Sequence, residues 1–211
     1  MHTSVIRRLM LSLIFLLPMT LKSILLICAH PALHRSRVNR RMIEAVSDLP
    51  HVRVHDLYET YPDFHINLRH EQALLEHADL VIFQHPIQWY SMPALLKEWM
   101  DVVLEYGWAY GKDGTALRGK DYWLAATTGG NSHDYSTDGT HGHSFEAFLP
   151  PLQQTANLCG MNWVPPFLLF GALQVDEVGV KAHCQRYREL LQTYPDWAKL
   201  PTTPMPEIKE A

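Results

Sequence analysis

The sequence predicts an α/β domain built on a doubly wound, five-stranded parallel sheet in the order 2-1-3-4-5. Three observations carry that prediction. From residue 20 onward, short apolar runs alternate with stretches of helical period. The first of these runs, Ser23–Cys28, is nearly uninterrupted, as a strand covered on both faces requires. Three of them end in residues suited to a ligand: His30-Pro31, His85-Pro86-Ile87-Gln88-Trp89-Tyr90, and Thr127-Thr128-Gly129-Gly130. Open sheets of this kind bind ligands in a crevice at the carboxyl edge, and glycines there let a flat ring or a phosphate approach the backbone.

The elements follow in order. Ser23–Cys28 is the first strand, and Ser36–Ser47 a helix with Val38, Met42, Ile43 and Val46 at helical spacing. His51–Leu57 alternates and supplies the second strand. Tyr58–Asn67, with Tyr61-Pro62-Asp63-Phe64, reads as a loop. Glu71–His77 is helical, Leu80–Gln84 the third strand, and Pro93–Leu104 an amphipathic helix with proline in its first turn. Gly107–Lys120 carries Gly107, Gly111, Gly114 and Gly119 and reads as a flexible excursion. Tyr122–Thr127 is the fourth strand and Asn131–Gly142 a polar loop. Phe145–Leu158 is helical but broken or restarted at Pro150-Pro151. Trp163–Phe170 is the fifth strand, Val175–Tyr194 the closing helix, and residues 198–211 a disordered, Pro-rich tail. Residues 21–197 form one domain.

Composition narrows the function. A chain of 211 residues with 47% hydrophobic and 19% charged residues has the core of a single globular domain. A formal charge of −4 without a basic stripe argues against nucleic acid. Arg35, Arg37, Arg40 and Arg41 are the one basic cluster, and a phosphate is their more economical target. Cys28, Cys159 and Cys184 make an odd count without C-x-x-C spacing, which suits a reducing compartment.

Residues 1–20 form an apolar extension. Arg7-Arg8 before Leu9–Leu17 has the outline of a secretion signal, yet Pro18–Ser23 offers no small-x-small cleavage site. The apolar stretch is too short to span a bilayer comfortably. Met19 therefore reads as the natural start, with a secretion signal as the alternative and a membrane-touching anchor third.

The chemistry-bearing residues cluster at the strand ends. Ser36 and Asn39 open the first helix, where a phosphate would find N–H donors; a plain N-cap accounts for Ser36 equally well. Neither G-x-G-x-x-G nor G-x-x-x-x-G-K-[ST] is present. Ile87, Gln88, Trp89 and Tyr90 combine apolar faces with a polar edge, which suits a flavin ring; ordinary core aromatics are the competing reading. Tyr135 and His141 are a phenol and an imidazole that could stabilise charge during hydride transfer. His133, His141 and His143 could be read as metal ligands, but no carboxylate or cysteine joins them at ligand spacing, so no metal site is assigned. No G-x-S-x-G elbow indicates a hydrolase.

Taken together, these residues resemble the flavodoxin-like NAD(P)H:quinone oxidoreductases of the DT-diaphorase type. Within that group they look most like the ancillary proteins of glutathione-regulated potassium-efflux antiporters. The resemblance runs from Lys22 to Trp197. It rests on Ala29-His30-Pro31 with Ser36-x-x-Asn39, Leu57-Tyr58, Tyr61–Phe64, Gln84–Pro93, Leu95–Trp99, Gly107–Gly111 and Thr127–Gly130, in that order.

The resemblance implies a non-covalent flavin: FMN, with FAD as the alternative, because the C-terminal extension of the larger quinone reductases is missing. Its phosphate would lie near His30, Ser36, Arg37, Val38 and Asn39, and its ring against Ile87–Tyr90 and Thr127, Thr128, Gly129 and Gly130. Tyr135 and His141 would assist hydride transfer. NADPH or NADH would reduce the flavin and leave before a quinone is reduced. The resemblance also implies a homodimer and a cytoplasmic location, peripheral on the inner face of the membrane, where the protein would activate a potassium-efflux antiporter. Residues Tyr106–Lys120 would serve as a lid or contact loop. Two other readings remain: a regulatory flavin module with little turnover, or a flavodoxin-like electron carrier, whose usual strong acidity a charge of −4 does not match.

Overall fold

A computed structural model describes residues 21–198, so the apolar extension, the choice between Met1 and Met19 and most of the tail lie outside the described residues. Five parallel strands form one sheet in the order β2-β1-β3-β4-β5, as the sequence predicts. They are β1 (Ile24–Cys28), β2 (Val52–Asp56), β3 (Leu80–Pro86), β4 (Asp121–Thr127) and β5 (Asn162–Leu169). Six α-helices join them: α1 (Asn39–Glu44), α2 (Leu57–Thr60), α3 (Leu68–Glu76), α4 (Ala94–Val103), α5 (Pro150–Leu158) and α6 (Glu177–Gln192).

Residues on a strand alternate between two cores. Ile24, Leu26 and Cys28 of β1 pack with Val38 and Met42 and with Val180, Tyr187 and Leu191 of α6. Leu25 and Ile27 face the opposite layer, with Leu57, Leu75, Leu96, Trp99 and Leu152. All five residues of β1 are buried, which is why that strand reads as an unbroken apolar run. β5 lies at the sheet edge, where Pro165-Pro166 is tolerated. The register slips there: Trp123 pairs with Val164 but Ala125 with Phe167, so the prolines sit in a bulge.

Three local differences from the sequence reading have physical causes. The first helix begins at Asn39 rather than Ser36, because the Ser36 hydroxyl accepts from the Asn39 N–H (3.0 Å) while Ser36 itself is extended. Residues 57–60 are a helical turn rather than strand and loop, because the Asp56 carboxylate accepts from the N–H groups of Tyr58 and Glu59. The excursion over residues 107–120 is knitted down: the Gly107 N–H donates to Tyr110, Ala116 to Trp108 and Gly119 to Gly160, with Ala109 and Leu117 buried. A β-carbon on Gly114 would lie 2.1 Å from the Tyr110 carbonyl oxygen, so this glycine permits close packing rather than motion. The double proline behaves as expected: a 3-10 turn (Phe145–Phe148) ends and α5 restarts at Pro150.

Among the described residues, no helix is long and apolar enough to cross a membrane, and no group of three His, Cys, Asp or Glu side chains is arranged to hold a metal ion.

Candidate functional site

The loops after β1, β3 and β4 leave the same edge of the sheet. Hydrogen bonding continues just past the strands: the Ala29 N–H donates to Gln84, Ile87 to Thr127 and Thr128 to Leu169, at 2.8–3.0 Å. The chain reverses direction of travel between β1 and β3, the switch point at which a crevice opens.

Beneath the crevice lies a buried polar knot. The Asn39 amide donates to the Thr127 hydroxyl (3.0 Å), and the Gln84 amide donates to the Asn39 carbonyl oxygen (3.0 Å). All three side chains are at most 3% exposed, and the Gln84 Oε1 has no partner among the described residues. The knot ties the loop after β1 to the ends of β3 and β4, so both proposed parts of the site are held to one frame. Gln84 was outside the sequence-derived set. Its place inside an otherwise apolar strand, at the head of the Gln84–Pro93 motif, is the signal that could have flagged it.

On the β1 side, the His30 Nδ1 accepts from the Ala32 N–H (3.1 Å), which leaves the proton on Nε2 as a donor. Burial pushes the His30 pKa down, so the ring is held neutral. Among the described residues, the N–H groups of Arg37 and Val38 have no acceptor. Their side chains are committed elsewhere. The Arg37 guanidinium donates to Glu177 and to the Val175 carbonyl oxygen, and Val38 is packed in the core. Arg41 also pairs with Glu177 and Arg40 with Glu44, so most of the basic cluster is neutralised internally. An anion here would meet N–H groups, the Ser36 hydroxyl and the His30 Nε2–H rather than a set of free guanidiniums.

On the β4 side, Thr128 is 1% exposed and its hydroxyl donates to the Gly130 carbonyl oxygen (2.7 Å). The Gly129 and Gly130 N–H groups have no acceptor among the described residues. A β-carbon on Gly129 would meet only the tip of Leu173, at 3.9 Å, so the space over that backbone is open. On Gly130 it would lie 2.9 Å from the Asp134 carboxylate. Asp134 organises the following loop by accepting from the Asn131 N–H (2.8 Å) and the Thr140 hydroxyl (2.9 Å), while its carbonyl oxygen accepts from the His141 N–H (3.0 Å). The Thr140 and Asn131 bonds hold its carboxyl below the usual range. Sequence reasoning missed Asp134, although Asn131-x-x-Asp134 is a recognisable reciprocal side-chain-to-backbone turn.

That loop delivers Tyr135 and His141 side by side, with ring centroids 4.5 Å apart. Tyr135 lies in a 3-10 turn (His133–Tyr135) against Phe145 and Phe170, and burial pushes its pKa up, keeping it a phenol. On the β3 side, Gln88 and Ser91 exchange backbone hydrogen bonds at 2.9 and 3.0 Å and close a two-residue turn. Trp89 and Tyr90 occupy its centre at φ +48° and +63°. Such a turn favours Asn and Gly, and holding two aromatic residues there costs on the order of 1–3 kcal/mol each. Trp89 is 93% exposed. Tyr90 stacks on Phe148 (5.2 Å between centroids) and stands edge-on to His141 (5.3 Å). Ile87 is half-buried against the core, and Gln88 is exposed at the start of the turn.

The donor set fits a flavin nucleotide. Free N–H groups, a hydroxyl and a neutral imidazole N–H suit a phosphate. Free glycine N–H groups beside open space and aromatic side chains suit the polar edge and face of a flat ring. The concavity lined by Ser23, Leu25, Arg53, Leu74 and His77 lies at the opposite, amino edge of the sheet, away from the glycines and the aromatic pair.

Comparison with known proteins agrees with this geometry. A family description of a flavodoxin-like fold matches residues 22–191. A glutathione-regulated potassium-efflux system ancillary protein, KefF, of Klebsiella aerogenes is 48% identical over 168 residues, spanning 80% of this chain and 94% of the relative. The general stress protein 14 of Treponema denticola, solved in complex with FMN, superposes with a TM-score of 0.76 at 37% identity, covering 81% of this chain and 98% of that one. An NADPH-quinone reductase from P. pentosaceus gives a TM-score of 0.73 at 29% identity, covering 79% and 96%. With the sheet order, the crevice and these likenesses in hand, the chain is a member of the flavodoxin-like fold family.

Proposed function

We propose that this chain is a flavin-dependent NAD(P)H:quinone oxidoreductase that also serves a glutathione-regulated potassium-efflux system as its ancillary protein. The observation that carries the enzyme reading is the juxtaposition of unpaired Gly129 and Gly130 N–H groups with the Tyr135–His141 pair at one strand edge. FMN, when bound, supplies the hydride acceptor and donor. His30, Ser36 and the N–H groups of Arg37 and Val38 would hold its phosphate, and Asn39, tied to Thr127, would keep that loop in place. Ile87, Gln88, Trp89, Tyr90 and Thr127–Gly130 would surround its ring.

The chain's own contribution is to orient and to manage protons. Tyr135, kept neutral by burial, donates a hydrogen bond to oxygen that gains charge, and His141 beside it relays a proton. The aromatic wall of Phe145, Phe148 and Phe170 excludes water from that side. NADPH and NADH are both candidate reductants. The exposed Trp89 and Tyr90 at the crevice mouth support a homodimer in which a second copy covers them. The relatives' name, ancillary protein of a glutathione-regulated potassium-efflux system, supports such a system as the partner; a cytoplasmic place on the inner face of the membrane is our reading of that partnership.

Steady-state kinetics of the FMN-loaded chain with NADPH and a soluble quinone test the enzyme reading. Parallel double-reciprocal lines are the expected pattern, because both substrates use one crevice in turn. Absence of quinone-dependent NADPH oxidation would overturn it.

A further inference from the structure

We infer that Tyr90 is a positioning residue for His141: its hydroxyl pins the imidazole in one tautomer. The inference rests on the enzyme reading for its purpose but on separate observations for its substance. The Tyr90 hydroxyl lies 3.5 Å from the His141 Nδ1, and the two rings meet edge to face. That distance is at the long end for such a bond. A phenol donating to Nδ1 makes that nitrogen the acceptor and places the imidazole proton on Nε2. His141 then has one defined donor. The backbone bond to Asp134 fixes the main chain and the Tyr135 ring, 4.5 Å away, packs against the imidazole, but neither sets which nitrogen carries the proton.

The second observation is how Tyr90 is held. It occupies a left-handed position in a turn that Asn or Gly would fill without strain, and Trp89 beside it does the same. The turn is closed by the Gln88–Ser91 pair and anchored to β4 by the Ile87 N–H on the Thr127 carbonyl oxygen. Stacking on Phe148 then orients the Tyr90 ring. A strained backbone kept in place by its surroundings marks a side chain needed at that spot. Tyr90 and Tyr135 bracket the imidazole, the first setting its proton and the second sharing its work. Covering a flavin face would require the Tyr90 ring but not its hydroxyl, so the hydroxyl separates the two roles.

The test is Y90F, which keeps the ring and its stack. In the flavin-free full-length chain, nitrogen chemical shifts of His141 report the tautomer directly. Wild type should hold the Nε2–H form, and Y90F should show a mixture of both forms. In the FMN-loaded chain, Y90F should lower kcat for quinone about three- to tenfold, the worth of one neutral hydrogen bond, with KM within about twofold. Unchanged tautomer populations in Y90F overturn the inference, whatever happens to the rate. A shifted tautomer in a protein that reduces no quinone leaves the pinning intact and removes the enzyme reading instead.

Discussion

Replacing Glu71 with leucine should destabilise the domain by about 2–4 kcal/mol, although the substitution removes a charge from the interior. Glu71 is fully buried, and its two oxygens accept from three donors on three other elements: His55 Nε2 (2.9 and 3.0 Å), the Tyr61 hydroxyl and Trp99 Nε1 (2.7 Å). Burial raises its pKa, but the bonds from His55, Tyr61 and Trp99 together outweigh that and hold it below the usual glutamate value. In Glu71→Leu, the Trp99 N–H and Tyr61 O–H lose their acceptor at a cost of ~1–3 kcal/mol each. Relief from burying the carboxylate offsets part of this. Glu71→Gln should cost only about 1–2 kcal/mol, because its oxygen can face Trp99 while Tyr61 turns its hydroxyl to accept from the amide. Urea unfolding of the flavin-free chain gives both values, and Glu71→Leu should lower Tm by roughly 5–15 °C. Tyr61→Phe should cost about 1 kcal/mol in wild type and almost nothing in the Glu71→Leu background. Wild-type stability in Glu71→Leu, or additive losses in the double variant, would refute the convergent-donor argument.

Other outcomes follow from the same structure. Tyr135→Phe and His141→Ala should each depress quinone turnover about ten- to a hundredfold, and wild-type rates in both would remove them from the chemistry. Gly129→Ala should fold with stability within about 0.5 kcal/mol of wild type, since its β-carbon meets only Leu173 at 3.9 Å, yet bind FMN more weakly by fluorescence titration. Gly130→Ala should in contrast lower Tm, because its β-carbon presses on Asp134 at 2.9 Å; equal Tm for the two variants would contradict this. Burial pushes His85 and His183 down to about 4, and both have an unpartnered Nε2. Because their folded pKa is depressed, the unfolded chain binds the extra protons, so stability is full above pH ~6.5 and falls towards pH ~4. His183→Phe, which keeps the stack on Phe167, should flatten that slope in pH-dependent urea melts.

The three central strands were legible because they are buried on both faces, so unbroken apolar runs such as Ile24–Cys28 mark them directly, whereas the half-exposed edge strand β2 showed as alternation. The strand-end motifs were legible for the same reason: polar residues and glycines stand out where such a run stops. What stayed hidden depends on distant partners. The Arg37 pairing with Glu177 joins residues 140 apart, so the basic cluster read as a free anion site when it is largely spent. Nothing in the sequence singled out Glu71, because His55, Tyr61 and Trp99 converge on it only in the folded chain. The strained turn at Trp89-Tyr90 carries neither Asn nor Gly, so nothing in its composition announced a left-handed backbone. Tyr135 and His141 were singled out, but their ring contact is made by the Asp134-centred loop between them, which sequence reasoning left without structure.

Anaerobic mixing of the FMN-loaded protein with NADPH tests the central claim most directly. Rapid bleaching of the flavin absorbance, with full recovery on adding a soluble quinone, is the result this structure predicts. Failure to retain FMN, or a bound flavin that stays oxidised with both NADPH and NADH, would contradict it.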